Sequence, residues 1–574
     1  MVKKLGVVCA LLALASVSFA APPPKRLVRH RRIQKVLGSS WRPFPIDESY
    51  ERVAEPSSVY PEYSMIVPVD HFHNDTRYEP HTEDEFFIRY WFDASYYQDG
   101  GPVFVLQSGS TSGQDQLNYL QKGILHDLAV ATNGIAVVLE HRYYGESFPV
   151  PDLSKESLRF LTTDQAMADQ AYFAKNVVFA GLEGKNLKAP NTAYIALGGG
   201  YAGSLVALSR KLYPDVFWGA IATSAVTYAT QDNWAYWEPI RTYADQKCMA
   251  HHQKITKIVD NILLGKKDPA TTAKLKRAFG LQGLTHDDDF AYIISVALLT
   301  WENQSWDEME SDPTFKQYCS HLTSPHVVYQ ETHALSNIVQ DLIKVGGYEA
   351  EVASLTTPWL NWTGYIAKYV LSRCTKSQDA CFSLHERPFY KYDDIRQDWR
   401  TWPYQLCTQW GLWQTGSGTP EHLLPMVSRT IDFKYLSQIC RYAFNIDAPP
   451  DVNAINKHGG FNLSHHRLAF IEGEQSPWRP SGPHASPFIP TAVNRTNTAG
   501  EPFMLINGAI HAWDLDGVLP HRRVDYPPNF LPPIPVRETQ YQEVMIVQQW
   551  LQEWQLELLI RNQKREEHEA DVRT

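Results

Sequence analysis

The stretch from residue 192 to residue 212 reads Thr192-Ala-Tyr-Ile-Ala-Leu-Gly-Gly-Gly200-Tyr-Ala-Gly-Ser204-Leu-Val-Ala-Leu-Ser-Arg-Lys-Leu212 and decides the fold. Its first six residues form an apolar run typical of a buried strand, and its last nine carry apolar residues at helical spacing. A strand, a sharp glycine-rich turn and a helix in this order predict a nucleophile elbow, in which a serine projects its hydroxyl from the turn. Gly200 occupies the apex of the predicted turn, so the hydroxyl that this motif needs is absent.

Short apolar runs on both sides of the elbow predict further strands. Residues 102–106 and 134–139 are rich in β-branched residues, and a predicted helix over residues 117–130 separates them. Residues 217–222 predict one more strand after the elbow helix. Because strands alternate with helices, the pattern predicts a parallel sheet covered by helices.

The middle of the chain has a different pattern. Between about residues 230 and 440 the strand signals fade and amphipathic stretches predict helices. Strand patterns return at residues 467–472 and 502–506, before a long amphipathic helix over residues 537–567. This order predicts an α/β-hydrolase core interrupted by a mostly helical cap. The predicted divisions are a signal peptide (1–20), a basic, Pro-rich lead-in (21–60), a first core segment (61–230), the cap (231–440) and a second core segment with the C-terminal helix (441–574).

The N-terminus has the features of a secretory signal. Lys3 and Lys4 precede an apolar run over residues 5–17, and Ser18-Phe-Ala20 supplies the small residues that a signal peptidase reads. The run is too short to span a membrane, and no later stretch of the sequence is long and apolar enough. We therefore expect a secreted, extracellular protein without a membrane anchor, with the vacuole as the alternative location.

Charge and motifs exclude several functional classes. Residues 1–35 hold eight of the 53 Lys and Arg residues and none of the 63 acids, so the rest of the chain has 45 basic and 63 acidic residues. This balance argues against nucleic acid as a partner. The sequence contains no metal motif, phosphate loop or dinucleotide fingerprint, so neither a metal ion nor a cofactor is expected. Whether the protein forms a homodimer stays open.

Cysteines and sequons both fit a secreted protein. An even number of cysteines beyond Cys9 of the signal predicts up to three disulfides, all within the cap. Cys374 and Cys381 are close enough in sequence to close a small loop, and the pairing otherwise stays open. The six cysteines are Cys248, Cys319, Cys374, Cys381, Cys407 and Cys440. Five sequons predict exposed glycosylation sites at Asn74, Asn303, Asn361, Asn462 and Asn494.

Two late loops stand where an α/β-hydrolase places the rest of a catalytic triad. The order in this fold is nucleophile, acid and histidine. His511 follows the strand predicted at residues 502–506 and so occupies the histidine position. The acid loop follows the strand predicted at residues 467–472 and reads Glu472-Gly-Glu-Gln-Ser476-Pro-Trp478.

These motifs together resemble one family of serine peptidases. Four stretches are similar to the Pro-Xaa carboxypeptidase and dipeptidyl peptidase II family. They are residues 140–147 (Glu-His-Arg-Tyr-Tyr-Gly-Glu-Ser), the elbow, residues 473–478 and residues 508–511 (Gly-Ala-Ile-His). The fungal, extracellular serine-carboxypeptidase-like branch is the most similar. The resemblance spans roughly residues 60–555 and implies an α/β-hydrolase core, a helical cap and the removal of residues next to proline or a similar penultimate residue.

The same resemblance identifies departures at the catalytic positions. The family serine falls on Gly200, the aspartate of the family's Asp-Pro-Trp loop falls on Ser476, and the family histidine is retained as His511. Residues 407–411 (Cys-Thr-Gln-Trp-Gly) resemble a stretch in which relatives often carry an acid at the position of Gln409, a group able to pair with the amino group of a substrate. The alternative for this stretch is packing around a disulfide. The candidate binding residues are Tyr201, Gln409 and Trp478.

The sequence therefore predicts a catalytically impaired family member that binds a peptide or protein ligand. Without a hydroxyl at Gly200 no acyl-enzyme forms there. The alternative is an active serine-type exopeptidase that uses another nucleophile or a water molecule. Ser204 lies one helical turn further on and is expected to point elsewhere, whereas Glu474 and Asp514 are candidates to orient His511.

Overall fold

The computed structural model describes residues 59–385, 387–519 and 530–573. The predicted signal peptide and the lead-in up to residue 58 lie outside the described residues. In the stretches of the chain that are described, no helix has both the length and the apolar character needed to cross a bilayer.

An eight-stranded sheet forms the centre of the core. Its strands are β1 (Tyr63–Pro68), β2 (Glu85–Asp93), β3 (Val103–Gln107), β4 (Ile135–Leu139), β5 (Tyr194–Gly199), β6 (Gly219–Thr223), β9 (Leu468–Gly473) and β10 (Phe503–Ile506), and a separate ribbon pairs β7 (Thr230–Asp232) with β8 (Gly411–Trp413). The order across the large sheet is β1-β2-β4-β3-β5-β6-β9-β10. Strand β2 is antiparallel to both of its neighbours, β1 and β4, and all other neighbouring pairs of the described sheet are parallel. This topology confirms the predicted α/β-hydrolase core.

The described helices divide between the core and an insertion. The core helices are α1 (Gly123–Thr132), α2 (Thr163–Asn176), α3 (Tyr201–Leu212) and, at the C-terminal end, α15 (Ile534–Arg573). The insertion between β6 and β9 holds α4 (Glu238–Tyr243), α5 (Gln246–Asp260), α6 (Pro269–Ala278), α7 (Asp287–Ser295), α8 (Thr314–Leu322), α9 (Ser336–Val345), α10 (Val352–Tyr369), α11 (Gln378–Phe382), α12 (Thr401–Gln405), α13 (Phe433–Phe444) and α14 (Asn453–Asn456). The inserted cap is therefore mostly helical, as predicted.

Helices cover both faces of the sheet. Because successive side chains of a strand point to opposite faces, Val137 of β4 packs into one apolar cluster and Val138 packs into the other. The first cluster includes Leu205 of α3, and the second includes Trp550 of α15. Two-sided burial explains why the central strands read as continuous apolar runs.

The sequence analysis did not find β1, β2 or α2. The edge strand β1 is only partly buried, so its apolar pattern is weak. Strand β2 carries Arg89, and α2 buries the polar side chains of Gln165 and Asp169. Buried polar groups break the apolar periodicity on which such predictions depend.

Two buried ion pairs fix the segment over residues 140–147, which follows β4. The carboxylate of Glu140 accepts hydrogen bonds of 2.8 Å from both Nε and Nη2 of Arg89. Arg142 donates to both carboxylate oxygens of Asp169, at 2.6 and 2.7 Å. The buried charges of Glu140 and Arg142 therefore anchor the fold.

Three disulfides link segments of the cap. Cys248–Cys319 joins α5 to α8, and Cys407–Cys440 joins the turn after α12 to α13. Cys374–Cys381 closes a small loop that includes the start of α11. The pairing that the sequence left open is thus resolved, and each bridge limits the conformational freedom of the unfolded cap.

We expect Arg142→Met to lower the free energy of unfolding by about 3 to 5 kcal/mol, because it leaves the buried carboxylate of Asp169 without its main partner. The matched control is Arg396→Met, since the ion pair of Arg396 with Asp394 is exposed. The urea midpoint of unfolding measures both changes. Equal midpoints for the two variants would show that the buried pair does not stabilise the fold.

Candidate active site

The turn between β5 and α3 has the backbone geometry of an elbow. Gly200 has φ 61° and ψ −123°, a conformation that residues with a Cβ adopt only with strain. Its N–H donates a hydrogen bond of 2.9 Å to the carbonyl of Thr223 on β6. A Cβ on Gly198 would lie 2.5 Å from the carbonyl of Ala202, so only glycine allows α3 to approach the end of β5 this closely.

Ser204 does not replace the missing hydroxyl. Its Oγ donates a hydrogen bond of 2.5 Å to the carbonyl of Val226 and lies 3.2 Å from the carbonyl of Gly200. The side chain is fully buried inside the core. The expectation that Ser204 points away from the elbow apex agrees with this geometry.

Gly200 and His511 line the same cavity, which lies between core and cap and has a volume of about 130 Å³. Its wall is largely aromatic and contains few polar side chains, which is typical of a binding site for a small molecule or a peptide end. The Trp and Tyr residues among the described lining are Tyr201, Tyr236, Trp237, Tyr292, Tyr390, Trp402, Trp410, Trp413 and Trp478.

Tyr201 is fixed by hydrogen bonds at the edge of this cavity. Its hydroxyl accepts a hydrogen bond of 2.7 Å from Nε2 of Gln405 and lies 3.1 Å from Nε2 of His141. Burial raises the pKa of the Tyr201 phenol above its usual value. As the first residue of α3, Tyr201 has a backbone N–H without a partner inside the helix, and this fold uses that N–H to bind an oxyanion.

The loop that carries His511 is held from several sides. The N–H of Ala512 donates a hydrogen bond of 3.0 Å to Oγ of Ser224. Glu474 accepts a hydrogen bond of 3.0 Å from the N–H of Gly508, and Asp514 accepts one of 2.5 Å from the hydroxyl of Thr223. Glu474 therefore stabilises the backbone of the loop, and Asp514 attaches the loop to β6.

Ser476 is fully buried at the predicted acid position. Its Oγ accepts a hydrogen bond of 3.3 Å from the N–H of Trp478. The side chain of Glu472, at the end of β9, hydrogen bonds to the hydroxyls of Ser476 and Ser224, and burial raises the pKa of Glu472 to about 7. The sequence analysis quoted Glu472 but assigned it no role, although an acid at the end of an apolar strand was a usable signal.

The two remaining candidate binding residues have different positions. Trp478 lines the cavity, and its Nε1 donates a hydrogen bond to the carboxylate of Glu302. Gln409 is buried outside the described lining, where its side-chain oxygen accepts hydrogen bonds of 3.0 and 3.2 Å from the backbone and hydroxyl of Thr163. The prediction of Gln409 as a binding residue conflicts with this position, because its amide caps the start of α2.

The five sequons also have different environments. Asn303 is buried, and Asn361 is completely buried, with its amide hydrogen bonded to the backbone at Val328, His321 and His326. A glycan on either side chain would disrupt the cap, so the prediction of exposed acceptors is wrong at these two positions. The exposed asparagines are Asn74, Asn462 and Asn494.

The raised pKa of Glu472 predicts a pH dependence of stability. The folded-state pKa of about 7 lies above the ordinary value of 4.5, so the folded protein binds this proton more tightly than the unfolded chain does. The resulting stabilisation is complete below pH 4.5 and is lost as the pH rises through 7, by an amount on the order of 3 kcal/mol.

The free energy of unfolding is expected to decline between pH 4.5 and pH 8 as Glu472 loses its proton. We expect Glu472→Gln to remove this contribution, because the amide does not titrate. Exposed Glu349→Gln is the matched control. Urea midpoints measured across this pH range test the assignment. A decline as steep in Glu472→Gln as in the unmodified protein would contradict it.

The chain is similar to several known proteins. Residues 68–521 match the family described as Serine carboxypeptidase S28. A probable extracellular serine carboxypeptidase from Arthroderma benhamiae is 44% identical over 503 residues, which cover 87% of this chain and 69% of the relative. The human lysosomal Pro-X carboxypeptidase is 26% identical over 442 residues, which cover 73% of this chain and 78% of the relative.

Solved structures give a weaker likeness. Proline iminopeptidase from Mycobacterium smegmatis is 12% identical, with a TM-score of 0.28, and the match covers 85% of this chain and 99% of that one. The peroxisomal α/β-hydrolase Lpx1 from Saccharomyces cerevisiae is 10% identical, with a TM-score of 0.30, and the match covers 89% of this chain and 98% of that one. The family match covers most of the chain, and the chain belongs to the serine carboxypeptidase S28 family.

Proposed function

We propose that this protein is a secreted, peptide-binding member of the S28 family that holds a peptide or a peptide segment of a partner protein without cleaving it. One observation carries the proposal. The apex of the elbow is Gly200, and it lines the same cavity as His511. The site thus keeps the backbone and the histidine of a serine peptidase while lacking the oxygen that attacks the substrate.

The missing hydroxyl has a large expected effect on chemistry. A serine peptidase forms an acyl-enzyme on its nucleophile after a histidine takes the proton of that nucleophile. In a well-studied serine protease, removing the nucleophile lowers turnover on the order of 10⁶-fold. Ser204 cannot compensate, because its hydroxyl is buried and bonded to Val226.

The acid position supports the same proposal. A triad acid holds the histidine in the correct tautomer and stabilises its protonated form. Ser476 is uncharged at any relevant pH. The nearby carboxyl of Glu472 has a pKa raised to about 7 by burial, so it is only partly ionised near neutral pH. Neither group supplies the permanent negative charge of an aspartate.

The relatives and the cap support the proposed location and ligand class. The relative from Arthroderma benhamiae is named as probably extracellular, and stable disulfides are typical of proteins in oxidising compartments. The human relative is named a lysosomal Pro-X carboxypeptidase. An aromatic wall suits the apolar ring of proline, so we propose peptides with proline near the end as ligands.

Labelling with a fluorophosphonate tests the proposal. We expect no covalent adduct on the unmodified protein. Gly200→Ser combined with Ser476→Asp is expected to restore labelling and to raise Pro-directed exopeptidase activity at least 100-fold, because both lost groups return to a preserved backbone. Adding His511→Ala to this double variant is the matched control and should abolish the gain.

Two outcomes of the labelling experiment would contradict the proposal. An adduct on a residue of the cavity in the unmodified protein would favour the alternative, an active exopeptidase with a different nucleophile. A folded double variant that stays unlabelled would mean that the cavity no longer fits a transition state of this family.

A further inference from the structure

Two segments of the cap bring histidine and carboxylate side chains together outside the described lining of the cavity. His286 is the N-cap residue of α7, Asp288 lies in the first turn of that helix, and His385 lies in the loop after α11. One metal-binding atom from each of these three side chains lies within 4.8 Å of the other two. No local motif predicts this group, because Asp288 and His385 are 97 residues apart in the chain.

The three side chains are close to the spacing of metal ligands and are open to solvent. Nε2 of His385 lies 2.9 Å from Oδ1 of Asp288, and both side chains are partly exposed. Ligand atoms around a tetrahedral Zn²⁺ lie about 3.4 Å apart, since the bonds to nitrogen and oxygen are about 2.0 to 2.2 Å long. The ring of His286 lies face to face with that of His385, with centroids 3.7 Å apart. Because His286 is exposed, a rotation of its ring turns a nitrogen toward the same ion.

A buried negative charge lies behind the group. Asp289 is fully buried, and its Oδ2 lies 4.0 Å from Nε2 of His385 and has no hydrogen-bond partner among the described residues. Its Oδ1 accepts hydrogen bonds of 2.9 Å from the N–H of Leu384 and the hydroxyl of Tyr435. A buried carboxylate is costly unless a positive charge compensates it, so a cation next to His385 stabilises Asp289 without having to touch it.

The group also lies next to segments that form the cavity wall. Leu384, which precedes His385, lines the cavity, and so does Tyr292, one helical turn after Asp288. Leu436 of α13 is another lining residue, next to the Tyr435 that holds Asp289. An ion bound by both α7 and the loop of His385 therefore fixes parts of the wall relative to one another.

We propose that His286, Asp288 and His385 form a binding site for a divalent transition-metal ion, Zn²⁺ in particular, which clamps α7 to the loop after α11. Imidazole nitrogens suit Zn²⁺, whereas Ca²⁺ and Mg²⁺ prefer oxygen ligands. Three protein ligands leave a fourth position for water. The site does not depend on the proposed peptide-binding function, because none of its three ligands belongs to the described lining of the cavity.

Calorimetric titration of the chelator-treated protein with Zn²⁺ tests the site. We expect His286→Ala and His385→Ala each to weaken the binding of one Zn²⁺ at least about 100-fold, because each variant removes a nitrogen ligand. The matched control is His333→Ala, which removes an exposed histidine elsewhere in the cap and should leave the affinity unchanged. Full binding by both His286→Ala and His385→Ala, or no binding by the unmodified protein, would overturn the proposal.

A second control separates this site from the other described group of similar composition, which consists of Asp70, His73 and His81. His73→Ala should keep the Zn²⁺ that His286→Ala loses. The opposite pattern would place the bound ion at the second group and overturn the proposal. Displacement of the bound Zn²⁺ by an equal concentration of Ca²⁺ would also contradict it, because oxygen ligands alone would then hold the ion.

Urea unfolding tests the clamp itself. Without metal, His286→Ala should have the midpoint of the unmodified protein, because the His286 side chain is exposed. Added Zn²⁺ should raise the midpoint of the unmodified protein and not that of His286→Ala, since only the folded site binds the ion. An equal rise in both proteins would show that Zn²⁺ acts at another place.

Discussion

The close approach of α3 to the end of β5 is the constraint on which the site depends. Gly198 leaves no room for a side chain, and Gly200 holds a left-handed backbone whose N–H is bonded to Thr223 on the neighbouring strand. This backbone keeps the apex of the turn at the cavity whether or not the apex carries a side chain. Glycine also avoids strain of about 1 to 3 kcal/mol that a serine would store there. Glycine at the apex is therefore compatible with a well-formed fold.

The second determinant is the attachment of the cap to the core. The Trp-rich cap segment over residues 301–306 hydrogen bonds to both the acid loop and the loop of His511. Buried Lys122 adds a charged link, since its ammonium lies 2.9 Å from Glu310 of the cap and 2.5 Å from Asp516 beyond His511. The cavity is thus enclosed by two regions of the chain that are fixed to one another, which preorganises it for a ligand.

Glycines, strand order and family motifs in the sequence predicted the elbow, the loop of His511 and the cap. The even number of cysteines beyond the signal predicted the disulfides. It did not reveal what depends on packing between distant segments. Gln409 stands where relatives often carry an acid, but folding places its amide at the start of α2. Asn361 has a sequon, but folding buries it. Glu472 gains its environment only when separate loops meet, and its place at the end of an apolar strand was the one local signal for it.

The central claim is that the cavity holds a peptide without cleaving it. The most direct test incubates the tripeptide Ala-Pro-Ala with a molar equivalent of the protein for a prolonged period. Equilibrium dialysis then measures binding, and mass spectrometry of the same sample detects cleavage. The account predicts that dialysis retains the peptide with the protein and that the spectrum contains only the intact tripeptide. Accumulation of free alanine or of a dipeptide, in amounts that grow with protein concentration, would contradict it.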